Sequence, residues 1–81
     1  METVLLPENL PRERLLDVAN MRMPFGRYAG RYLRSLPEAY LHWFVRHGFP
    51  SGRLGEAMQL ALIIKSNGLS HLLTPLIQSD D

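Results

Sequence analysis

Eighty-one residues, 46% hydrophobic with a net charge of +1, make one small globular domain near the lower size limit for a single apolar core, and exclude a disordered chain. The absence of cysteine excludes disulfide staples and thiolate metal sites, and fits a reducing, cytoplasmic setting. No run is apolar for long enough to span a bilayer, since residues 57–64 are interrupted by Gln59, and Met1-Glu2-Thr3-Val4 does not open a secretory signal.

In chain order, Asn9 is placed to cap a first helix with Pro11 in its opening turn, where a missing N–H does no harm. Leu15, Leu16 and Ala19 share one face of that helix, which should fade near Asn20. Residues 21–25 and 31–33 read as two short strands around a loop from Gly26 to Gly30, with Pro24 on an edge because it cannot donate to a ladder. Ser35-Leu36-Pro37-Glu38 has the spacing of a capping box and marks a second helix start. That helix presents Tyr40, Trp43, Phe44 and His47 on one face and should stop at Gly48, with Phe49 folding back on Phe44 in a Schellman arrangement.

Ser51 is expected to cap a third helix that runs to about Ser66. Residues 57–64 are apolar almost all round, which makes this helix either central to the domain or half of a homodimer interface. Asn67-Gly68-Leu69 repeats the terminator, with Leu69 able to pack on Ile64. A last short helix is expected from a Ser70 cap through Leu73, bent near Pro75, and residues 78–81 read as a frayed tail. The predicted fold is α+β and mostly helical: a short antiparallel β-hairpin packed against three to four helices, with its core between about residues 9 and 77.

Chemistry-bearing residues are few. Glu38 and His42 stand one helical turn apart without a third ligand, and with Arg46 they read as a solvated stripe, so no metal is expected. The serines fall where helix caps explain them, His71 reads as a surface group, and no carboxylate pair has acid–base spacing; no catalytic residue, enzyme activity or cofactor is expected. Gly26-x-x-x-Gly30 lacks the Lys-Ser/Thr of a phosphate loop, and Gly52-Arg53-Leu54-Gly55 reads as turn and helix-start glycines.

What remains is a basic, aromatic segment. Residues 18–53 hold six arginines against Glu38 alone, and all seven aromatic residues lie between 25 and 49. Arg22, Arg27, Arg31 and Arg34 are interleaved with Phe25, Tyr28 and Tyr32. Cations beside rings are the ingredients of single-strand binding: Arg27 and Arg31 would contact phosphate, Tyr28 would stack, and Arg22 and Arg34 would add field. The competing reading puts the rings in the core and leaves the arginines to keep a small domain soluble. On either reading Phe25, Trp43 and Phe44 are expected inside and Tyr28 exposed at the loop tip.

The run Ala19-Asn20-Met21-Arg22-Met23-Pro24-Phe25-Gly26-Arg27-Tyr28-Ala29-Gly30-Arg31 resembles a family of small bacterial proteins. So do Leu36-Pro37-Glu38-x-Tyr40-Leu41-x-Trp43-Phe44, Gly48-Phe49-Pro50-x-Gly52-x-Leu54-Gly55, and Ile64-Lys65-x-Asn67-Gly68-Leu69 with Pro75-Leu76. The family carries the label "putative quorum-sensing-regulated virulence factor", which describes regulation and supplies no biochemical activity or catalytic residues. It falls in a broader group sharing a Phe-Gly-Lys/Arg-Tyr-x-Gly signature, members of which are found attached to exonuclease-like domains. The resemblance spans roughly residues 14–76 and implies nucleic acid as the ligand; taken with the basic aromatic segment, the expected partner is a single-stranded nucleic acid or a nucleic-acid enzyme, and the apolar run 57–64 supplies the alternative, a homodimer. Arg27 and Arg31 stand where the family often has lysine, and Ala29 where a second lysine is common.

Overall fold

The computed structural model describes residues 12–78. Three α-helices, α1 (Arg12–Asn20), α2 (Glu38–His47) and α3 (Gly52–Ser66), are joined by a long loop carrying the 3₁₀ turn Leu33–Ser35, and a 3₁₀ segment, Ser70–Leu76, follows α3. No helix among the described residues is long and apolar enough to cross a membrane. The Asn9 cap and Pro11 lie outside the described residues, while α1 ends at Asn20 as its apolar spacing predicts.

The α+β expectation is overturned: there is no strand among the described residues, and the domain is helical. Where the hairpin was expected, a single antiparallel bridge joins Arg22 to Tyr32. Met23 N–H donates to Arg31 O (2.7 Å), Leu33 N–H to Met21 O (2.9 Å) and Gly30 N–H to Met23 O (2.7 Å), and the pairing goes no further. On one side the next residue is Pro24, which has no N–H to offer. On the other, the chain curls into the 3₁₀ turn, where Leu36 N–H returns to Leu33 O (3.2 Å). Between the bridged residues the loop reverses through Gly26 at φ +79° and Gly30 at φ +91°, angles open to glycine and strained for other residues.

α3 is the central element. Gly55, Ala57, Met58, Leu60, Ala61 and Ile64 are buried in it, with α1 on one side and α2 on the other. Val18 and Ala19 from α1, Met23, Leu33 and Leu36 from the loop, and Leu41 and Phe44 from α2 complete the core with Leu73. Much of the apolar run 57–64 is therefore spent inside the chain's own core, leaving Ile63 as its exposed large side chain. Burying each such side chain contributes about 1.5–3 kcal/mol. Gly55 is required by sterics, because a Cβ there would lie 1.7 Å from Pro50 O. This close approach seats the start of α3 against the turn that leaves α2.

The helix ends follow the sequence to different degrees. At the end of α3, Leu69 N–H donates to Ile64 O (2.9 Å) and Gly68 N–H to Lys65 O (3.3 Å), the paired bonds of a Schellman motif, with Gly68 at φ +67°. At the end of α2, Phe49 does stack on Phe44 (5.8 Å between centroids), while Gly48 adopts φ +97°, ψ 132° and leaves the helix in extended form. The capping box at Ser35 does not form: Pro37 is the N-cap residue of α2 and Ser35 belongs to the preceding 3₁₀ turn, its N–H bonded to Tyr32 O (2.8 Å). Ser51 holds the N-cap position of α3 without a side-chain cap bond. The final segment is a 3₁₀ helix to Leu76 that accommodates Pro75, and Gln78 is tied down, its N–H donating to Asn20 Oδ1 (2.8 Å).

Candidate functional site

The bridged loop and α2 enclose a groove of about 690 Å3, lined by Phe25, Gly26, Arg27 and Tyr28 from the loop, and by Pro37, Ala39, Tyr40, Trp43 and Phe44. Its volume lies in the range of ligand clefts, roughly 300–1,000 Å3. The floor is built from aromatic edges: Tyr28 meets Tyr40 at 4.7 Å between centroids, Tyr40 meets Phe44 at 5.2 Å, and Trp43 meets Phe44 at 5.1 Å. The last two pairs are near perpendicular (89° and 83°) and the first is inclined at 66°; edge contacts of this kind set the electropositive ring edge on the electronegative face of its neighbour. Gly26 lets the loop close on this floor, since a Cβ there would sit 3.0 Å from the Tyr40 hydroxyl.

Two rings at the groove stay open to solvent: Phe25 is 45% exposed and Trp43 52%. The Trp43 indole is not loose. His47 stacks on it at 3.9 Å and 10°, and His47 Nδ1 donates to Trp43 O (2.9 Å), which fixes one face of the indole. Both rings were expected in the core, and the correction has a geometric cause. On α2 the buried side chains are Leu41 and Phe44, so the inward arc is centred between them and Trp43 stands roughly 130° from its centre, outside it. In the loop Met23 takes the inward position, and with pairing ended at Pro24 the chain carries Phe25 outward. Tyr28, expected exposed, is half-buried and packed against the core instead.

The predicted arginines divide into two pairs. Arg27 lines the groove and Arg31 lies beside it, their guanidinium carbons 5.6 and 5.5 Å from the centroid of the Tyr28 ring, within cation–π reach. Both are exposed; among the described residues no hydrogen bond or ion pair engages Arg27, and Arg31 makes one long bond, Nη2 to Ser35 O at 3.5 Å. Arg22 and Arg34 gather instead on Tyr32, at 4.5 and 4.1 Å from its ring. Arg22 also donates to Gly30 O and to the Tyr32 hydroxyl (both 3.0 Å), and Arg34 donates to Ala19 O. Arg22 ties the two arms of the loop together, and Arg34 ties the loop to α1. Arg46, three positions after Trp43 and on the same side of α2 as Ala39, is exposed; in sequence it was read as part of the solvated Glu38–His42 stripe and not as a binding residue.

A second charged cluster was also missed. Asp17, 5% exposed, accepts two bonds from Arg53, Nε to Oδ2 (2.8 Å) and Nη2 to Oδ1 (2.6 Å), and one from Arg14 Nη1 (2.5 Å); Arg14 Nε also reaches Glu56 Oε1 (3.1 Å). The bidentate Arg53 fork, chiefly through its hydrogen bonds, holds the Asp17 carboxyl below the usual carboxylate range; burial pushes the other way and Arg14 adds to the lowering. Gly52-Arg53-Leu54-Gly55 was read as turn and helix-start glycines; in the fold Arg53 engages a carboxylate of the protein itself. Glu38 pairs with His42 (3.5 Å) and accepts from Ser66 Oγ (3.0 Å). Among the described residues no group of three His, Asp or Glu side chains is gathered to hold a metal ion.

The chain belongs to the family described as "Putative quorum-sensing-regulated virulence factor", whose model matches residues 11–76. It is similar to "Uncharacterized protein YpeB" of Escherichia coli strain K12, 53% identical over 68 residues that cover 83% of this chain and 94% of that protein. The protein of the same name from Escherichia coli O157:H7 matches to the same extent. No solved structure matches the chain.

Proposed function

We propose that this chain is a cytoplasmic, non-catalytic module that holds single-stranded nucleic acid, alone or beside a nucleic-acid enzyme, in the groove between the bridged loop and α2. The observation that carries the reading is the pairing of two exposed rings, Phe25 and Trp43, with a groove-wall arginine, Arg27, that has no acidic partner among the described residues. Bases stack on exposed rings regardless of sequence, and arginines beside them meet the phosphates that connect the bases. The stacking role moves from Tyr28 to Trp43 and Phe25, with Tyr28 supporting the floor. Arg27 and Arg31 keep the phosphate role, joined by Arg46, while Arg22 and Arg34 act through the loop they hold in place. The acids stand elsewhere: Asp17 and Glu56 are engaged by Arg14 and Arg53, and Glu38 by His42 and Ser66.

Trp43 is the chain's only tryptophan, so its emission reports the groove directly. Titration with a labelled twelve-nucleotide oligothymidylate at low salt should quench that emission and raise the label's anisotropy. Three phosphate contacts give a log–log salt slope of magnitude about 2 for a single strand. The double variant Arg27→Glu/Arg31→Glu should abolish binding while leaving the circular dichroism spectrum unchanged. Absence of binding at low salt by the folded protein overturns the proposal. So does a homodimer, seen by light scattering, whose tryptophan no oligonucleotide perturbs.

A further inference from the structure

The reading above leaves open how much strand the module holds, and here the geometry is restrictive. Among the described residues Phe25 and Trp43 are the exposed aromatic rings, and both belong to one groove. The remaining rings are turned into the domain or engaged: Tyr40 and Phe44 form the groove floor, Phe49 stacks on Phe44, and Tyr32 is covered by Arg22 and Arg34. A protein that coats a long strand needs a succession of stacking platforms along a continuous basic path. This one has a single platform.

The cations set the same limit. Arg27 and Arg31 flank one side of the groove and Arg46 follows Trp43 on α2. Past Arg31 the path is interrupted, because Arg22 and Arg34 are committed to Gly30 O, Ala19 O and the Tyr32 ring. Past α2, Arg14 and Arg53 are neutralised by Asp17 and Glu56. With His47 covering one face of Trp43, a base reaches that indole on its other face, inside the groove.

We propose that the module recognises a short unpaired stretch, two or three nucleotides with one or two bases stacked in the groove, and does not coat extended single strands. This rests on the single-strand reading of the same groove and specifies its substrate class: strand ends, gaps and small bulges, whose exposed bases number a few.

An oligothymidylate series from one to twelve nucleotides, followed by Trp43 emission and by anisotropy at low salt, tests the footprint. Affinity should climb to about three nucleotides and then rise only with the number of overlapping positions on the longer strand, and the twelve-mer should take up several protein molecules. Trp43→Ala should weaken trinucleotide binding by about tenfold, the typical loss for one stacked base. Affinity that keeps climbing steeply to ten or twelve nucleotides, at one protein per strand, overturns the short footprint and leaves single-strand binding standing. Failure of every length to bind overturns both.

Discussion

The two arginine-bearing sides of this domain use the same residue for opposite ends. On the α1–α3 side, Arg14 and Arg53 converge on Asp17, which is 5% exposed, and their charge is cancelled within the fold. On the groove side, Arg27 and Arg31 lie near a tyrosine face with no carboxylate to receive them among the described residues. A guanidinium given a buried acid becomes a clamp between helices; one given only rings keeps its donors available to a ligand. What separates a structural arginine from a binding one here is the partner across the fold. The substitutions that test the contrast should therefore sort cleanly: changes on the clamp side lower stability and spare oligonucleotide binding, and changes on the groove side do the reverse.

The largest stability effect belongs to the joint at the start of α3. Gly55→Ala drives a methyl to within 1.7 Å of Pro50 O, a backbone atom that cannot step aside without moving the turn between α2 and α3. Overpacking of this kind costs about 3 kcal/mol. Urea unfolding should show the midpoint falling with an unchanged slope. A variant as stable as the parent would mean that the turn at Pro50 yields to the methyl at little cost, and that Arg53 is not held in register with Asp17 by this approach.

Next in size is the clamp itself. Asp17→Asn keeps the shape and removes the charge that Arg53 and Arg14 share; the loss should be about 1–2 kcal/mol, below that of a fully buried pair because the Arg53 side chain is 66% exposed. The parent should also carry an acid-dependent term that the variant lacks. Asp17 binds its proton more weakly in the folded chain than in the unfolded one. The stability it supplies is therefore complete above the ordinary carboxylate range, near pH 4, and is lost as pH falls through the lower folded value. Chemical denaturation of both proteins at neutral pH and at successively lower pH reads this as a gap that narrows in acid. A gap that stays constant assigns the effect to packing and removes the electrostatic half of the comparison.

Local signals carried much of the helical frame and little of the site. The Schellman terminator at Gly68 was legible because Asn67-Gly68-Leu69 acts within one turn of Ile64. The centrality of α3 was legible because a helix apolar on nearly every face has no other place in a monomer. The hairpin was over-read: alternation and two glycines predicted a ladder, whereas Pro24 and the 3₁₀ turn at Leu33 restrict pairing to one bridge. The Asp17–Arg53 contact spans 36 residues of sequence, and nothing at either position announces the other. Hydrophobicity alone assigned Phe25 and Trp43 to the core. Only the direction of the inward arc on α2, fixed by Leu41 and Phe44 together, shows that Trp43 lies outside it.

That last correction makes the smallest stability effect the most discriminating. Phe25→Ala and Trp43→Ala each remove a large ring, and in a packed core such truncations cost about 3–5 kcal/mol. Here nearly half of Phe25 and just over half of Trp43 already face water, and Trp43 gives up mainly its stacking on His47 and its edge on Phe44. The expected loss is below about 1 kcal/mol for either variant. Their thermal midpoints should stay within a few degrees of the parent while oligonucleotide affinity falls about tenfold. A core role and a binding role thus predict opposite pairings of the same two measurements. If Trp43→Ala unfolds the domain and leaves the affinity of the surviving folded fraction intact, the groove is a packing defect of the fold, and the contrast between its arginines and the clamp's has no functional content.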